Sequence, residues 1–314
     1  MKKIKVAVIG AGHLGKIHAR IYSQFKNCAL VGICDTDLEK AQTHAQSFST
    51  KAYTDYTQLL NKVDAVSIAT PTSSHFKIAA EFLKHKVHVM VEKPITKKIT
   101  EAEKLIDLAE KNKVLLQVGH VERFNPAIKA LSRFCKNPQF IECHRLSPFP
   151  LRGTDVSVIL DLMIHDIDII LSLVKSPLKS IHAIGVNAIS QFEDIANVRL
   201  TFTNGTVCNL TSSRISDDIM RKIRIFQKNS YISLDYALQK IIMYKKTGIK
   251  ITRKEISIEK KEPLVEELYS FIQCIKTKKT PLVQGQDAKE ALKIALRITK
   301  IIQKNQNNIL QNNI

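Results

Sequence analysis

The sequence predicts an α/β protein with an amino-terminal Rossmann domain built on a parallel sheet and a carboxy-terminal α/β domain with an open, mostly antiparallel sheet. Three observations carry this. Short apolar, β-branched runs alternate with helix-length segments through the first 120 residues. A glycine turn, GAGHLG, lies between the first strand and the first helix. Beyond about residue 175 strand follows strand, with connections too short for crossover helices. A chain of 314 residues has room for about two such domains.

Residues 4–9 (IKVAVI) form the first strand, and the helix after the glycine turn covers about 13–25. Strands at 29–34, 63–69, 87–91 and 114–118 then alternate with helices at about 37–48, 74–84 and 100–111. Nearly continuous apolar strands separated by helices indicate a sheet covered on both faces, so the first domain is expected to span 1–120. The second, 121–303, opens with an insert at 121–155 that holds a strand at 140–146, followed by a helix at about 156–174. Strands are expected at 180–187, 196–203, 206–213, 222–227, 230–235 and 240–244. Asn204-Gly205 signals a two-residue hairpin. Two helices follow, 263–277 with Pro263 in its first turn and 287–303 with Asp287 and Glu290 as a capping box. The Asn/Gln-rich residues 304–314 read as a frayed tail.

Composition removes several function classes. Hydrophobic residues make up 44% and charged residues 25%, which is globular and too apolar for a disordered chain. The formal charge of +19 raises nucleic acid or a membrane surface as partners. However, lysine is spread at similar density over both halves, no basic run occurs, and aromatics are 6% with no Trp. Neither nucleic acid nor membrane is therefore expected. Arginine is distributed differently: Arg20 alone precedes residue 120 and ten arginines follow, which points to a planar anion handled by the second half. The six cysteines show no C-x-x-C and read as reduced thiols. The amino-terminal run reads as a strand, not a signal peptide, and no apolar run reaches membrane-spanning length, so a cytoplasmic protein is expected.

In the glycine turn, Gly10 and Gly12 permit a tight bend and close approach of a pyrophosphate, and Gly15 lets helix pack on strand. His13 and Leu14 stand at the helix amino terminus, whose amides favour phosphate. Asp35, 20 residues after Gly15 at the end of the second strand, accepts hydrogen bonds from an adenosine ribose and repels a 2′-phosphate. NAD is the expected cofactor, ahead of NADP. Thr70 and Pro71 follow the third strand of that alternation, and Glu92, Lys93 and Pro94 follow the fourth. Open parallel sheets bind ligands at those carboxyl ends, which places Lys93 beside the nicotinamide, where it can polarise a substrate oxygen. His75, early in the next helix, either touches cofactor or only caps and packs.

The segment DVSVILDLMIHDIDIILSLV is apolar nearly all round, hence buried, yet Ser157, Asp161, His165, Asp168 and Ser172 form one stripe along it. Buried polar groups need partners or a ligand. Asp161 and His165, one turn apart, can hydrogen-bond and raise the basicity of the imidazole. The alternative is a polar seam against a neighbouring element. Asp166 lies off the stripe and reads as solvated or at an interface. Without HExxH or a further His/Cys cluster, no metal is expected.

With GAGHLG, ATPTSSH, EKPI and DLMIHDID, the chain resembles the Gfo/Idh/MocA oxidoreductases over nearly its whole length, to about residue 303. The resemblance implies Lys93, Asp161 and His165 as the catalytic set and a homodimer or homotetramer. VGHVERFNPAI and RLSPFPLRGTDVSVILDLMIHDIDII are similar to the family's nucleotide-sugar branch, the UDP-N-acetylglucosamine 3-dehydrogenases. That branch makes a 3-keto sugar for lipid A or surface polysaccharide. It implies a UDP-linked sugar substrate and assigns substrate contacts to Arg123, Asn125 and Arg152, along with Asp161 and His165. Arg123 and Arg152 can equally pair with carboxylates of the insert. Two rival expectations stand beside this: a dehydrogenase of a free polyol such as inositol, which needs no anion site, and a non-catalytic NAD-binding regulator, which leaves the buried stripe unexplained.

Overall fold

The computed structural model describes residues 3–149 and 156–312, the side chains of 309–312 excepted. The chain divides into two units, Met1–Val121 with Glu262–Lys289, and Glu122–Lys261 with Glu290–Ile314.

The first unit begins with a short apolar run. β1 (Ile4–Ile9) is buried from Val6 on, and α1 (His13–Gln24) follows the glycine turn. The alternation continues with β2 (Cys28–Cys34), α2 (Leu38–Ser47), β3 (Lys51–Tyr53), β4 (Ala65–Ile68), α3 (Thr72–Lys84), β5 (His88–Glu92), α4 (Ile99–Asn112) and β6 (Leu116–Gly119). All neighbours pair in parallel in the order β3-β2-β1-β4-β5-β6, and the order reverses between β1 and β4. Ligands bind at such a reversal point in doubly wound sheets. The three-residue edge strand β3 carries no periodic signal and was not expected from the sequence.

In the second unit, α5 (Pro126–Leu131) and β7 (Pro138–Leu146) precede a π turn over Ile159–Met163, which leads into α6 (Ile164–Leu173). There follow β8 (Leu178–Val186), β9 (Ile195–Phe202), β10 (Val207–Ser213), β11 (Met220–Gln227), β12 (Ser230–Asp235), β13 (Lys240–Thr247) and β14 (Lys250–Ile256). They form an eight-stranded sheet, β14-β13-β12-β11-β7-β10-β9-β8, antiparallel except between β7 and β10. Alternate residues such as Ile141, Cys143, Val198, Leu200, Ile225 and Leu234 pack one face against α6 and the last helix. β14 was not expected either, because its residues are almost all exposed and show no apolar period.

Several expectations are corrected. The β9–β10 connection is a loop of four residues, Thr203–Thr206, and only Gly205 takes positive φ (+87°), while Asn204 Oδ1 accepts from Thr206 N at 3.1 Å. α7 (Pro263–Thr277), expected in the second domain, belongs to the first unit, where Leu268, Phe271 and Ile272 pack on Ile21 and Tyr22. α8 (Gly285–Asn312) starts two residues early and carries through the expected frayed tail. Asp287 is the third helical residue, whose carboxylate accepts from Gln284 N at 2.8 Å, so Gln284 is the cap. The tail stays helical because it has partners. Gln306 Nε2 donates to Gly185 O at 3.1 Å and Asn305 Nδ2 to Ala183 O at 3.4 Å, both on the edge strand β8. No helix among the described residues is long and apolar enough to cross a membrane.

Candidate active site

The glycine turn is shaped as a cradle. Gly10 has φ +99°, and a Cβ there would stand 2.5 Å from Ala69 O. A Cβ on Gly15 would run into the Gly10 carbonyl. Gly12 differs, since a Cβ there would meet nothing within 4 Å. Space is therefore open where a pyrophosphate has to approach. α1 begins with no side-chain cap and no acid in its first turn, which leaves its leading amides available to phosphate. His13 and Leu14 open the helix and are exposed. Asp35 closes the turn, with Oδ2 accepting from Ala11 N at 2.6 Å and Oδ1 from Asp37 N at 3.0 Å. A carboxylate has about four acceptor sites, so capacity remains for ribose hydroxyls. These residues fit a dinucleotide.

The loops after β4 and β5 are tied from beneath. Thr70 Oγ1 accepts from Ser74 Oγ at 2.8 Å, and Pro71 caps α3. His75 is 1% exposed, and its ring joins both loops: Nε2 lies 2.8 Å from Thr70 O and Nδ1 2.9 Å from Pro94 O. Both ring nitrogens lie against protein carbonyls, so His75 ties the two loops together. Burial lowers its pKa, and the two carbonyls and Glu92 offset only part of that.

Glu92 is 8% exposed at the end of β5 and needs partners. Oε2 accepts from Lys93 N at 3.3 Å, and Oε1 lies 3.2 Å from Nε2 of the fully buried His18, off the line of a well-aligned hydrogen bond. His18 Nδ1 is fixed 2.8 Å from Ser67 Oγ. Burial pushes the Glu92 carboxyl up, but His18 and Lys93 outweigh it and hold it below its ordinary value. Gly119 on β6 makes room for this carboxylate, since a Cβ there would stand 2.8 Å from Glu92 Oε2. Lys93 itself is half-buried and is joined to Pro94 by a cis peptide. Sequence reasoning missed His18 and Ser67, although Ser67 is a polar residue inside the apolar run VDAVSIA, the kind of signal used for the later helix; His18, between Lys16 and Arg20, carries no such signal.

In the second unit, the π turn places Asp161, with Asp161 N donating to Ser157 O at 3.0 Å and Ile164 N to Ile159 O. A π turn inside a helix often marks a functional segment, and hydrophobic periodicity does not reveal it. Asp161 and His165 are half-buried, so each reaches the surface in part. Asp168, 2% exposed, accepts from Arg123 Nη1 at 3.2 Å. Ser172 is turned onto its own helix, donating to Ile169 O at 2.7 Å. The stripe thus separates into an accessible pair and a pinned end.

Asp166 is corrected: it is 1% exposed and bonded by Arg145, Nε to Oδ2 and Nη2 to Oδ1, both at 2.9 Å. Arg145 Nη1 also donates to Glu122 Oε1 at 3.0 Å, and its guanidinium lies 5.3 Å from the centre of the Tyr236 ring. Asn125, expected at the substrate, is tied into the fold. It is 2% exposed and caps α5, accepting from Ala127 N at 3.0 Å and donating to Glu122 Oε2 at 3.3 Å and Tyr236 O at 3.1 Å. Little of its amide is left for a ligand. Arg152 lies outside the described residues.

The arginine excess of the second half has a structural use. Arg123, Arg145, Arg214 and Arg224 pair with Asp168, Asp166 and Glu122, Asp194, and Glu142 respectively. Guanidinium forks suit such carboxylates better than lysine.

Comparison with known proteins agrees with both units. A family model described as an oxidoreductase family with an NAD-binding Rossmann fold matches residues 4–120. A second, for the GFO/IDH/MocA C-terminal domain, matches 140–229. The chain is 35% identical over 305 residues to a UDP-N-acetylglucosamine 3-dehydrogenase of Acidithiobacillus ferrooxidans, covering 95% of this chain and 97% of that one. A solved structure of that enzyme superposes with a TM-score of 0.92 at 34% identity, over 97% of this chain and 99% of that chain. A myo-inositol 2-dehydrogenase of Thermotoga maritima is 26% identical over 322 residues, 96% of each chain.

Proposed function

The chain belongs to the Gfo/Idh/MocA oxidoreductase family, and from that premise we propose that it oxidises a ring hydroxyl of a UDP-linked N-acetylamino sugar, giving a keto sugar. NAD is the cofactor, and its nicotinamide supplies the hydride-accepting centre when bound.

Each residue has a role that its chemistry supports. Gly10, Gly12 and Gly15, with the first amides of α1 at His13 and Leu14, hold the pyrophosphate. Asp35 holds the adenosine ribose. Thr70, Pro71 and Glu92 line the strand ends near the reversal point. The Lys93 ammonium polarises the hydroxyl oxygen, and His165 takes its proton as general base. Asp161, four residues earlier, orients that imidazole or holds a sugar hydroxyl. Arg152 remains a candidate for the diphosphate, whereas Arg123 is at least partly committed to Asp168.

The observation that carries the substrate reading is likeness running through both units. Identity of 35% over 95% of the chain includes the second unit, where substrate choice resides, and the inositol enzyme reaches only 26%. The test incubates the protein and NAD with UDP-sugars, free sugars and inositols and follows absorbance of the reduced cofactor. Turnover of UDP-N-acetylglucosamine alone supports the reading. Turnover of a free polyol replaces it with the polyol reading, and cofactor binding without turnover of anything leaves a regulator.

The same reading includes a homo-oligomer. The face of the eight-stranded sheet away from its core carries an in-register row, Phe140, Phe226, Tyr231, Tyr244 and Arg253, across β7, β11, β12, β13 and β14. Its ring centres are 5.6, 4.8 and 5.5 Å apart. A part-exposed aromatic band on a sheet face suits association with a second copy.

A further inference from the structure

Lys93 lies in the chain between two residues held by buried imidazoles, and the proposed reaction gives neither imidazole a part. His18 on α1 is 0% exposed and reaches Glu92 Oε1 at 3.2 Å while anchored to Ser67 on β4 at 2.8 Å. His75 on α3 is 1% exposed, with Nδ1 2.9 Å from Pro94 O and Nε2 2.8 Å from Thr70 O; the neutral ring donates to one carbonyl at a time, and the Nδ1–H tautomer is the one that holds Pro94. We propose that His18 and His75 are positioning residues for Lys93, gripping the chain on either side of it: His18 through the Glu92 carboxylate, His75 through the Pro94 carbonyl. This rests on the reading of Lys93 as the group that polarises the substrate hydroxyl.

The physical need is clear from the lysine itself. Its ammonium sits at the end of a four-carbon stem, so where it can reach depends on how firmly the backbone beneath is held as well as on the contacts of the ammonium itself. Packing alone does not call for histidine at either position, because a buried imidazole costs free energy unless its nitrogens find partners, and an apolar side chain would fill the space without that cost. Both rings place each nitrogen near a polar atom, and both join the end of β4 to the end of β5. Those strands lie next to one another on one side of the reversal point. The residues on either side of Lys93 are thus fixed to two helices and to the neighbouring strand, which sets where the lysine stem leaves the backbone.

The two rings are used in opposite senses, which makes the proposal sharp. Towards the lysine, His18 uses Nε2 and His75 uses Nδ1. An asparagine amide reproduces the reach of Nδ1, and a glutamine amide that of Nε2. His18→Asn therefore breaks the contact with Glu92 while His18→Gln keeps it, and His75→Gln breaks the contact with Pro94 while His75→Asn keeps it. A role in packing alone would favour glutamine, the closer match in size, at both positions.

The experiment compares the four variants with wild type in the full-length protein. One readout is kcat and KM on the sugar that wild type oxidises. The other, which needs no cofactor, is the rate at which a pulse of acetic anhydride modifies the Lys93 amine, read by peptide mass spectrometry against the exposed Lys250. In His18→Asn and His75→Gln, kcat is expected to fall about tenfold or more with KM within about twofold, and the Lys93 labelling rate to change about threefold. His18→Gln and His75→Asn are expected to stay near wild type on both. All four keep a polar, hydrogen-bonding side chain, which limits the risk of misfolding. Wild-type labelling of Lys93 in His18→Asn and His75→Gln overturns the proposal, as does glutamine outperforming asparagine at His75. If wild type oxidises no sugar, the functional reading fails, and the labelling rates alone decide whether the grip exists.

Discussion

Three glycines in one turn do different work, and each makes its own prediction. Gly15 serves the fold, because a Cβ there strikes the Gly10 carbonyl. Gly12 has ordinary backbone angles, φ −71° and ψ −167°, and open space around its missing side chain. Gly12→Ala is therefore expected to leave thermal unfolding nearly unchanged yet weaken NAD binding by about tenfold or more, measured by cofactor titration, since the methyl group occupies the pyrophosphate approach. Gly15→Ala is expected to lower the unfolding midpoint as well. Arg145 shows the opposite kind of residue, one that touches no ligand and holds two buried carboxylates. Arg145→Met would leave Asp166 and Glu122 uncompensated and is expected to destabilise the protein by about 3–5 kcal/mol in urea unfolding. A loss below about 1 kcal/mol would mean that solvent already reaches the pair.

At the scale of elements, the carboxy-terminal helix has a task its composition hides. An edge strand presents unpaired carbonyls to any passing strand. Asn305 and Gln306 of α8 cover two of those on β8, the carbonyls of Ala183 and Gly185. Ending the chain at Lys304 is expected to leave the fold in place but uncover this edge, giving concentration-dependent growth in mass by light scattering beyond that of the full chain. The aromatic row on the open sheet face predicts a different association. Tyr231→Glu, at the middle of the row, is expected to shift the full-length protein towards monomer in the same measurement. The π turn before α6 belongs to this scale too. Its extra residue alters the register of the helix that carries Asp161 and His165, and no hydrophobic period announces it.

For the whole molecule, acid is the expected weakness. The His75 pKa is lowered by burial, so as pH falls the unfolded chain takes up that proton before the folded one does. The stability contributed by neutral His75 is present above its ordinary pKa of 6.5 and is lost as pH falls below it. His88 shifts the same way, lowered by burial against the opposing charge of Asp64. Glu92, held below its ordinary value, and Asp194, held down by the Ser190 and Ile189 amides and Arg214 despite burial, lose their contributions at still lower pH. Urea midpoints are expected to fall between about pH 7.5 and pH 5 in wild type, with a smaller fall in His75→Asn. The sequence by itself determined the Rossmann architecture, the cofactor turn and the family, because strand, glycines, helix and acid act within a few dozen residues and leave a short-range pattern. It also placed Lys93, Asp161 and His165 on recognisable motifs. Only the tertiary structure decided which polar residues are structural. Arg145 meets Asp166, His18 meets Glu92 and Gln306 meets Gly185 across 21, 74 and 121 residues, and a polar contact between distant segments imposes no period on either of them. A buried ion pair and a ligand-binding arginine look alike until the chain folds and supplies the carboxylate.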